Sequence, residues 1–165
     1  FNGIMPKNLI IYNPTGVALK MIWLCPGEVR NFSYSKDKEA TELYYPNLLF
    51  QVEGREIKVF AVKTKTINYN TMIYKAPFPN VYTGNDICWG TINTKRLFSP
   101  NHKHIMDNIE RAFFNSEFTS EMMSFQKTKS PTIQLLLKLS KTLHLKPFPN
   151  KELIKIDTFQ NVFSR

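Results

Sequence analysis

Residues 47–63, NLLFQVEGREIKVFAVK, carry the clearest structural pattern in the sequence. The apolar residues at every second position are Leu48, Phe50 and Val52 in the first half and Ile57, Val59 and Ala61 in the second. A period of two is typical of a β-strand that packs one face against a core. Gly54, between the two runs, can adopt the positive φ that a tight turn requires. The segment therefore predicts an antiparallel hairpin with its turn at Glu53–Gly54.

The residues before this hairpin predict further strands. Residues 8–24, NLIIYNPTGVALKMIWL, hold two strand-like runs on either side of Asn13-Pro14-Thr15-Gly16, whose composition suits a type I turn. Residues 29–34 predict a third, polar-faced strand. The N-terminal part of the chain therefore predicts an antiparallel β meander.

The residues after the hairpin change character. Residues 64–98 are rich in Thr, Asn, Pro and Gly without a regular period, which predicts a long functional loop. Ser99–Pro100 predicts a helix start, because Ser caps a helix and Pro fits its first turn. Residues 105, 109 and 113 then place Ile, Ile and Phe on one helical face, and Asn115 is a plausible stop.

Two more helices are predicted in the last part of the chain. Ser130–Pro131 opens residues 131–145, PTIQLLLKLSKTLHL. Its predicted apolar side consists of Ile133, Leu136, Leu137 and Leu143. Residues 153–163 predict a short last helix. Strands, then a loop, then C-terminal helices define an α+β fold.

The composition fits one folded domain over residues 1–165, with 42% hydrophobic and 21% charged residues. Because the chain begins with Phe1 and not Met, we expect an N-terminal portion to be missing. No apolar run approaches the roughly 18 residues that span a bilayer. Two cysteines, Cys25 and Cys88, are too few for a typical disulfide-dependent secreted domain. We therefore expect a cytoplasmic protein without a membrane partner.

The chain is also basic, with a formal net charge of +9. Residues 126–165 hold eight Lys or Arg residues against two acidic ones. Such a surface can bind nucleic acid or an acidic protein, and it is also common on an ordinary solvated face. Because most aromatic residues fall in strand or helix core patterns, the aromatic–basic interleaving of a nucleic-acid surface is not evident.

The tetrapeptide PFPN occurs twice, at residues 77–80 and 147–150. Two prolines in four residues impose a stiff, non-helical loop. Only the first copy is followed by a cysteine, Cys88, which comes eight residues after Asn80. We interpret the second copy as a helix-to-helix connector, with Phe148 packed on the domain.

Asn80 and Cys88 form the candidate catalytic pair. The rigid Phe78–Pro79 approach and a turn at Gly84 are expected to bring the Asn80 amide near the Cys88 sulfur. A thiolate that attacks a carbonyl forms an oxyanion, to which a carboxamide N–H can donate. The pair suits acyl transfer through a thioester, and it lacks the general base that a cysteine protease needs. Cys25, which ends an apolar strand, is predicted to be structural.

The sequence predicts no metal and no cofactor. His102 and His104 are two residues apart, so they would face different directions on a helix, and no cysteine pair lies nearby. We expect both to be exposed polar residues near a helix start. A glycine-rich phosphate loop and a GxSxG elbow are absent from the sequence.

Residues 77–90, PFPNVYTGNDICWG, resemble the active-site segment of ubiquitin-conjugating enzymes. In that family a His-Pro-Asn triplet precedes the cysteine that carries ubiquitin, with eight residues from the Asn to the Cys. Pro79, Asn80 and Cys88 match in identity and spacing, and Phe78 stands where the family has His. The residues typical of the intervening loop are Tyr82, Gly84 and Ile87.

Other segments narrow the resemblance. Together with Phe78, residues 48–62 and residues 113–122, FFNSEFTSEM, are more similar to prokaryotic ubiquitin-conjugating family D. That branch includes protein B of the PRTRC plasmid system. The resemblance covers roughly residues 45–165.

The resemblance implies a ubiquitin-conjugating-enzyme-like fold and a mechanism. A ThiF-like activating enzyme would adenylate a ubiquitin-like protein and pass its C-terminal carboxyl to Cys88. A target amine or hydroxyl would then attack the thioester while Asn80 steadies the oxyanion. A JAB-type deconjugating protease is a further implied partner. The supporting loop residues would be Phe78, Pro79, Tyr82, Asp86 and Trp89.

The sequence leaves two questions open. The acidic residue that commonly conditions the incoming lysine is not placed, and Asp86, Glu117 and Glu121 are the candidates. The alternative functions are a non-catalytic adaptor that binds a ubiquitin-like protein and a small basic nucleic-acid-binding domain of a plasmid system. The cysteine argues against the adaptor, because non-catalytic relatives characteristically lack it.

Overall fold

A computed structural model describes residues 6–13, 19–119 and 126–164 of the chain. The strands are β1 (Leu9–Asn13), β2 (Lys20–Cys25), β3 (Val29–Asn31), β4 (Ser33–Tyr34), β5 (Glu42–Tyr44), β6 (Asn47–Glu53), β7 (Glu56–Val62), β8 (Met72–Lys75), β9 (Glu117–Phe118) and β10 (Lys155–Thr158). The α-helices are α1 (His102–Phe114), α2 (Thr132–Ser140) and α3 (Phe159–Phe163). Short 3-10 helices lie at Thr94–Leu97 and Asn150–Glu152.

One antiparallel sheet of six strands, in the order β1-β2-β6-β7-β8-β10, organises the domain. The predicted hairpin is confirmed as its centre. Glu53 pairs with Glu56 across the turn, and Gly54 takes a φ of 62° there. The two-residue connection requires this positive φ, which glycine adopts without steric cost. The predicted α+β class, with an antiparallel sheet followed by C-terminal helices, is confirmed.

Both faces of the central strands are buried, where the sequence had predicted one. On the first face, Phe50 packs against Phe113 and Phe114 of α1, at ring-centroid distances of 5.4 and 6.4 Å. On the second face, Phe60 packs against Phe163 of α3 at 5.2 Å. The second cluster consists of Ile22, Leu24, Leu49, Phe60, Val62, Ile73, Phe159 and Phe163. The short helix α3 therefore covers the face that would otherwise be open to water.

Helix α1 buries the predicted stripe of Ile105, Ile109 and Phe113. Its predicted start at Ser99–Pro100 was wrong by a few residues. Asn101 is the N-cap, because its side chain accepts a hydrogen bond from the Lys103 N–H at 2.9 Å. Asn115 caps the other end, as predicted.

Helix α2 follows Ser130–Pro131 as predicted, but it ends at Ser140. Leu143 lies beyond this end and is 91% exposed, so its assignment to the apolar side was wrong. In the described part of the chain, no helix is long and apolar enough to cross a bilayer.

Four strands were not predicted from the sequence, and two of them, β8 and β10, belong to the six-stranded sheet. β8 lies inside the predicted long loop, and β10 occupies the first half of the predicted last helix, so only α3 is helical there. Residues 72–75, MIYK, and residues 155–158, KIDT, lack the strict alternation of apolar and polar residues that reveals a half-buried strand. The predicted strand at 29–34 is divided into β3 and β4. β3 pairs with β5 and β4 pairs with β9, each in a separate two-stranded sheet. Residues 14–16 of the predicted first turn lie outside the described residues.

A polar network joins α1 to the sheet around Cys25. The Trp23 indole N–H donates to Glu110 Oε1 at 2.9 Å, and Arg30 Nη2 donates to Cys25 Sγ at 3.2 Å. Burial, followed by the nearby Glu110 carboxylate, raises the pKa of Cys25 to about 12. Cys25 is therefore an inert thiol with a structural place in the core.

The same burial gives Glu110 a testable effect on stability. Desolvation is the largest cause that raises the pKa of Glu110 above its ordinary value of 4.5. The folded state then holds this proton more tightly than the unfolded chain, so the contribution of Glu110 to stability falls as pH rises through that range. Glu110→Gln keeps an oxygen for Trp23 and removes the titration. In urea denaturation, we expect the free energy of unfolding of Glu110→Gln to rise relative to that of the wild type as the pH increases above 4.5, the ordinary pKa of Glu.

Glu110→Ala serves as the comparison for this experiment. It leaves the buried indole N–H without an acceptor, and we expect a loss of about 1–3 kcal/mol in the free energy of unfolding. A difference between Glu110→Gln and the wild type that does not change with pH would contradict the expected role of the carboxylate.

Candidate active site

A buried phenylalanine anchors the approach to the candidate site. Phe78 follows β8 and is fully buried. Its ring centroid lies 5.0 Å from that of Tyr45, 5.7 Å from that of Phe113 and 6.2 Å from that of Phe118. The first PFPN therefore begins from a point fixed in the aromatic core, at the position where the wider ubiquitin-conjugating family has His.

Asn80 and Cys88 lie opposite each other in a small hairpin. The Cys88 N–H donates to the Asn80 carbonyl at 2.7 Å, and the Tyr82 N–H donates to the Asp86 carbonyl at 2.9 Å. The residue pairs across the hairpin are Asn80 with Cys88, Val81 with Ile87, and Tyr82 with Asp86. This antiparallel register accounts for the eight-residue spacing that the sequence displayed.

The turn of this hairpin uses Asn85, where Gly84 had been predicted to reverse the chain. Asn85 has a φ of 69°, in the left-handed region, and its N–H donates to the Tyr82 carbonyl at 2.9 Å. A Cβ at Gly84 would come within 3.0 Å of Asp86 Oδ2. A side chain at position 84 would therefore crowd the Asp86 carboxylate, which favours glycine there. The reversal of the chain depends instead on the left-handed conformation of Asn85.

The hairpin is held against the edge of β7. The Val59 N–H donates to the Asn85 carbonyl at 3.0 Å, and the Ile87 N–H donates to the Ile57 carbonyl at 3.2 Å. β8 pairs only with the later residues Phe60 and Ala61 of β7. The hairpin thus takes the place beside the first half of β7 that β8 leaves open, and main-chain bonds to the central sheet fix its position.

Residues alternate between the two sides of the hairpin. Val81 and Ile87 are buried in the main core, whereas Cys88 is half-buried and Tyr82 is 52% exposed. A hydrogen bond to Cys88 is the largest cause that raises the pKa of Tyr82. Diagonal neighbours on one side of an antiparallel pair are close enough for such contacts. The Cys88 sulfur therefore lies next to a phenol that keeps its proton at neutral pH.

The predicted closeness of Asn80 to Cys88 is present in the main chain. Asn80 is only 2% exposed, and its Nδ2 donates a hydrogen bond to Ser116 Oγ at 3.3 Å. Ser116 Oγ in turn donates to the Phe113 carbonyl at 2.7 Å. The hydrogen bond of the carboxamide is thus made to the segment after α1, and not to the Cys88 sulfur.

The remaining predicted loop residues occupy different surroundings. Trp89 is half-buried and packs against the main core cluster. Asp86 is half-buried within the hairpin. Glu117 is exposed and forms an ion pair with Lys38, whose hydrogen bond is the main cause that lowers the pKa of Glu117. Glu121 lies outside the described residues. Of the two acidic candidates that the structure describes, Asp86 shares the hairpin with Cys88, whereas Glu117 is paired with Lys38.

No group of three or more His, Cys, Asp and Glu residues that could hold a metal occurs in the described ranges. His104 is exposed as predicted, but the prediction for His102 was wrong. His102 is 5% exposed, and its ring lies 5.7 Å from that of Tyr12. Because α1 begins at His102 itself, this first helical residue lies against β1 and not in solvent.

The second PFPN has a different environment. Phe148 is 5% exposed and belongs to the main core, which confirms its predicted packing. Asn150 is exposed and begins a 3-10 helix that leads to β10. The connector therefore joins a helix to a strand, and the helix-to-helix interpretation was wrong.

Sequence reasoning missed Ser116 as part of the site. Residues 113–118, FFNSEF, supplied a signal, because they were recognised as a segment typical of the family without an assigned role. In the structure, Phe113 and Phe118 hold the Phe78 ring while Ser116 contacts Asn80. Ser116, in the segment after α1, therefore contacts the candidate site from outside the Asn80–Cys88 hairpin.

The model of prokaryotic E2 family D, a family of ubiquitin-conjugating-like domains, matches residues 2–156. This range is nearly the whole chain, and the protein belongs to this family. The match includes the N-terminal strands, which the resemblance from about residue 45 had not covered, and it ends within β10, before α3. No curated protein and no solved structure matches significantly. Membership suggests a ubiquitin-conjugating-like role with a ubiquitin-like protein as the general partner.

Proposed function

We propose that the protein carries a ubiquitin-like protein as a thioester on Cys88 and transfers it to an amine or hydroxyl of a target. The observation that carries this proposal is the hairpin that seats a half-buried cysteine directly opposite Asn80 in a chain of the prokaryotic E2 family. A ThiF-like activating enzyme would supply the activated carboxyl group, and a JAB-type protease would remove the product.

The chemistry consists of two acyl transfers. In the first, the Cys88 thiolate attacks the activated C-terminal carbonyl of the ubiquitin-like protein, a C–S bond forms, and the group that activated the carboxyl leaves. In the second, the target nucleophile attacks that thioester, its proton passes to solvent, and the Cys88 thiolate leaves. Each step passes through an oxyanion, for which the Asn80 carboxamide is the proposed donor. No oxidation or reduction is involved.

The contrast between the two cysteines supports this assignment. Cys25 is 2% exposed, and its pKa is raised to about 12, so its thiolate is scarce at neutral pH. Cys88 is half-buried at the end of the hairpin. A macromolecular acyl donor therefore has access to Cys88 and not to Cys25.

Two exposed aromatic residues, Tyr69 and Tyr82, are found in the described part of the chain. A surface for single-stranded nucleic acid would present several aromatic side chains among basic ones. This scarcity favours the conjugating function over the nucleic-acid-binding alternative.

The test is thioester formation. The protein is incubated with ATP and with pairs of ubiquitin-like protein and ThiF-like activating enzyme from the source genome. We expect an adduct of the size of one ubiquitin-like protein that disappears on treatment with reductant. Cys88→Ser should give an adduct that resists reductant, because an oxyester replaces the thioester, and Cys25→Ser should behave as the wild type.

Two results would overturn the proposal. An adduct that survives in Cys88→Ala would place the ester elsewhere. Tight binding of a ubiquitin-like protein by the wild type, with no adduct for any pair, would favour the adaptor alternative.

A further inference from the structure

A chain of side-chain hydrogen bonds links the candidate site to the end of α1. The Asn80 carboxamide donates to Ser116 Oγ at 3.3 Å, and Ser116 Oγ donates to the Phe113 carbonyl at 2.7 Å. The first of these bonds joins residues 36 positions apart in the sequence. It is the hydrogen bond that the described residues provide for the Asn80 side chain.

The direction of the second bond fixes the direction of the first. A serine hydroxyl has one proton, and that of Ser116 is committed to the Phe113 carbonyl. Ser116 Oγ can therefore act only as an acceptor toward Asn80. A carboxamide that faces it must present its NH₂ group, since its oxygen would meet another lone pair.

The environment of the carboxamide oxygen indicates that Ser116, and not a partner of the oxygen, fixes the orientation of the Asn80 side chain. Asn80 Oδ1 is buried and has no hydrogen-bond partner among the described residues. A buried acceptor without a partner is unfavourable by about 1–3 kcal/mol. Within the described part of the chain, the carboxamide therefore directs its N–H group to Ser116 while its oxygen has no partner, an exception to the rule that buried polar atoms are hydrogen-bonded.

We propose that Ser116 is a positioning residue for Asn80, and that its hydroxyl selects the carboxamide orientation that offers N–H groups to the oxyanion of acyl transfer. One N–H binds Ser116, and the second is the donor for the reaction. The flipped amide would present its oxygen to a developing negative charge, which would repel it. The catalytic part of this inference rests on the proposed function, whereas the orientation of Asn80 does not.

The role predicts a specific kinetic defect. Ser116→Ala removes the group that discriminates between the two amide orientations, so part of the population presents the wrong end. We expect thioester discharge to slow about five- to tenfold, the effect of one lost hydrogen bond. The half-saturating concentration of the acceptor amine should not change, because Ser116 does not touch the acceptor surface in this role.

A matched control lies one residue away. Asn115 is exposed, and its Oδ1 accepts a hydrogen bond from Asn31 Nδ2 at 3.1 Å. Asn115→Ala removes one side-chain hydrogen bond from the same segment without touching Asn80. Its discharge rate and acceptor dependence should equal those of the wild type.

Two measurements test the proposal on the full chain. The first is the side-chain amide signal of Asn80 in ¹H–¹⁵N spectra, identified by its loss in Asn80→Ala, which should move in Ser116→Ala and stay in place in Asn115→Ala. The second is single-turnover discharge of the preformed thioester to free lysine. In a double-mutant cycle, Ser116→Ala should add no defect to Asn80→Ala, because Ser116 acts through Asn80.

The outcomes separate this inference from the proposed function. Absence of any wild-type thioester overturns the proposed function, while the Asn80 signal still decides the orientation. If the chemical shift of the Asn80 side-chain amide is the same in Ser116→Ala as in the wild type, the positioning role is overturned, whatever the activity. Unchanged discharge in Ser116→Ala, or a defect that adds fully to that of Asn80→Ala, overturns the catalytic part of the role.

Discussion

Phe78→His, which installs the residue of the wider ubiquitin-conjugating family, is expected to lower the free energy of unfolding by about 3 kcal/mol. Phe78 is fully buried among Tyr45, Phe113 and Phe118. An imidazole there would have to bury its nitrogen atoms among aromatic rings, which desolvates polar groups and loses ring contacts. Since small domains are stable by only about 5–15 kcal/mol, this loss is large.

Chemical denaturation compares the three relevant variants. Phe78→Ala should lose about 3–5 kcal/mol through the cavity it leaves. Tyr69→His is the control for an aromatic-to-histidine change in solvent, because Tyr69 is 72% exposed, and it should stay within about 0.5 kcal/mol of the wild type. A Phe78→His protein as stable as Tyr69→His would contradict the view that the aromatic core determines this position.

Asn80→Ala is expected to slow acyl transfer about 10²–10³-fold, the range for loss of one oxyanion donor. Asn80 pairs with Cys88 across the hairpin through the main chain, and its buried carboxamide is the proposed oxyanion donor. The repeated tetrapeptide supplies a matched control. Asn150 occupies the same position in the second PFPN, is exposed, and lies on the connector to β10.

Both asparagine variants are loaded with the same ubiquitin-like protein, and discharge to free lysine is followed in a single turnover. Asn150→Ala should discharge at the wild-type rate. Denaturation of each variant separates a catalytic loss from a folding defect. Equal rates for Asn80→Ala and Asn150→Ala, with both proteins folded, would remove Asn80 from the reaction.

The fold could be predicted where patterns were local. The hairpin of β6 and β7 has alternating residues and a glycine turn, and α1 has a four-residue apolar repeat, so both were found. The second buried face was not predicted, because its cover, α3, is about a hundred residues away and has only five residues. A short element that gains stability from packing leaves little trace in propensity.

The site shows the same division. The pairing of Asn80 with Cys88 could be inferred from their spacing in the sequence, because this spacing follows from the register of a small hairpin. The contact with Ser116 was not, since serine is common and the contact arises from the meeting of two segments in space. The exposure of His102 was predicted wrongly for a related reason: the start of α1 depends on which residue caps it, and Asn101 takes that position.

The bond between the Asn80 carbonyl and the Cys88 N–H involves only main-chain atoms. The main-chain position of Cys88, the proposed nucleophile, therefore does not depend on exposed side chains at the tip of the hairpin, such as that of Thr83. We expect substitutions there to change the surface offered to a ubiquitin-like protein while the main chain of Cys88 stays in place. For evolution, and equally for loop grafting in the laboratory, the proposed function then allows partner preference and the placement of Cys88 to change separately.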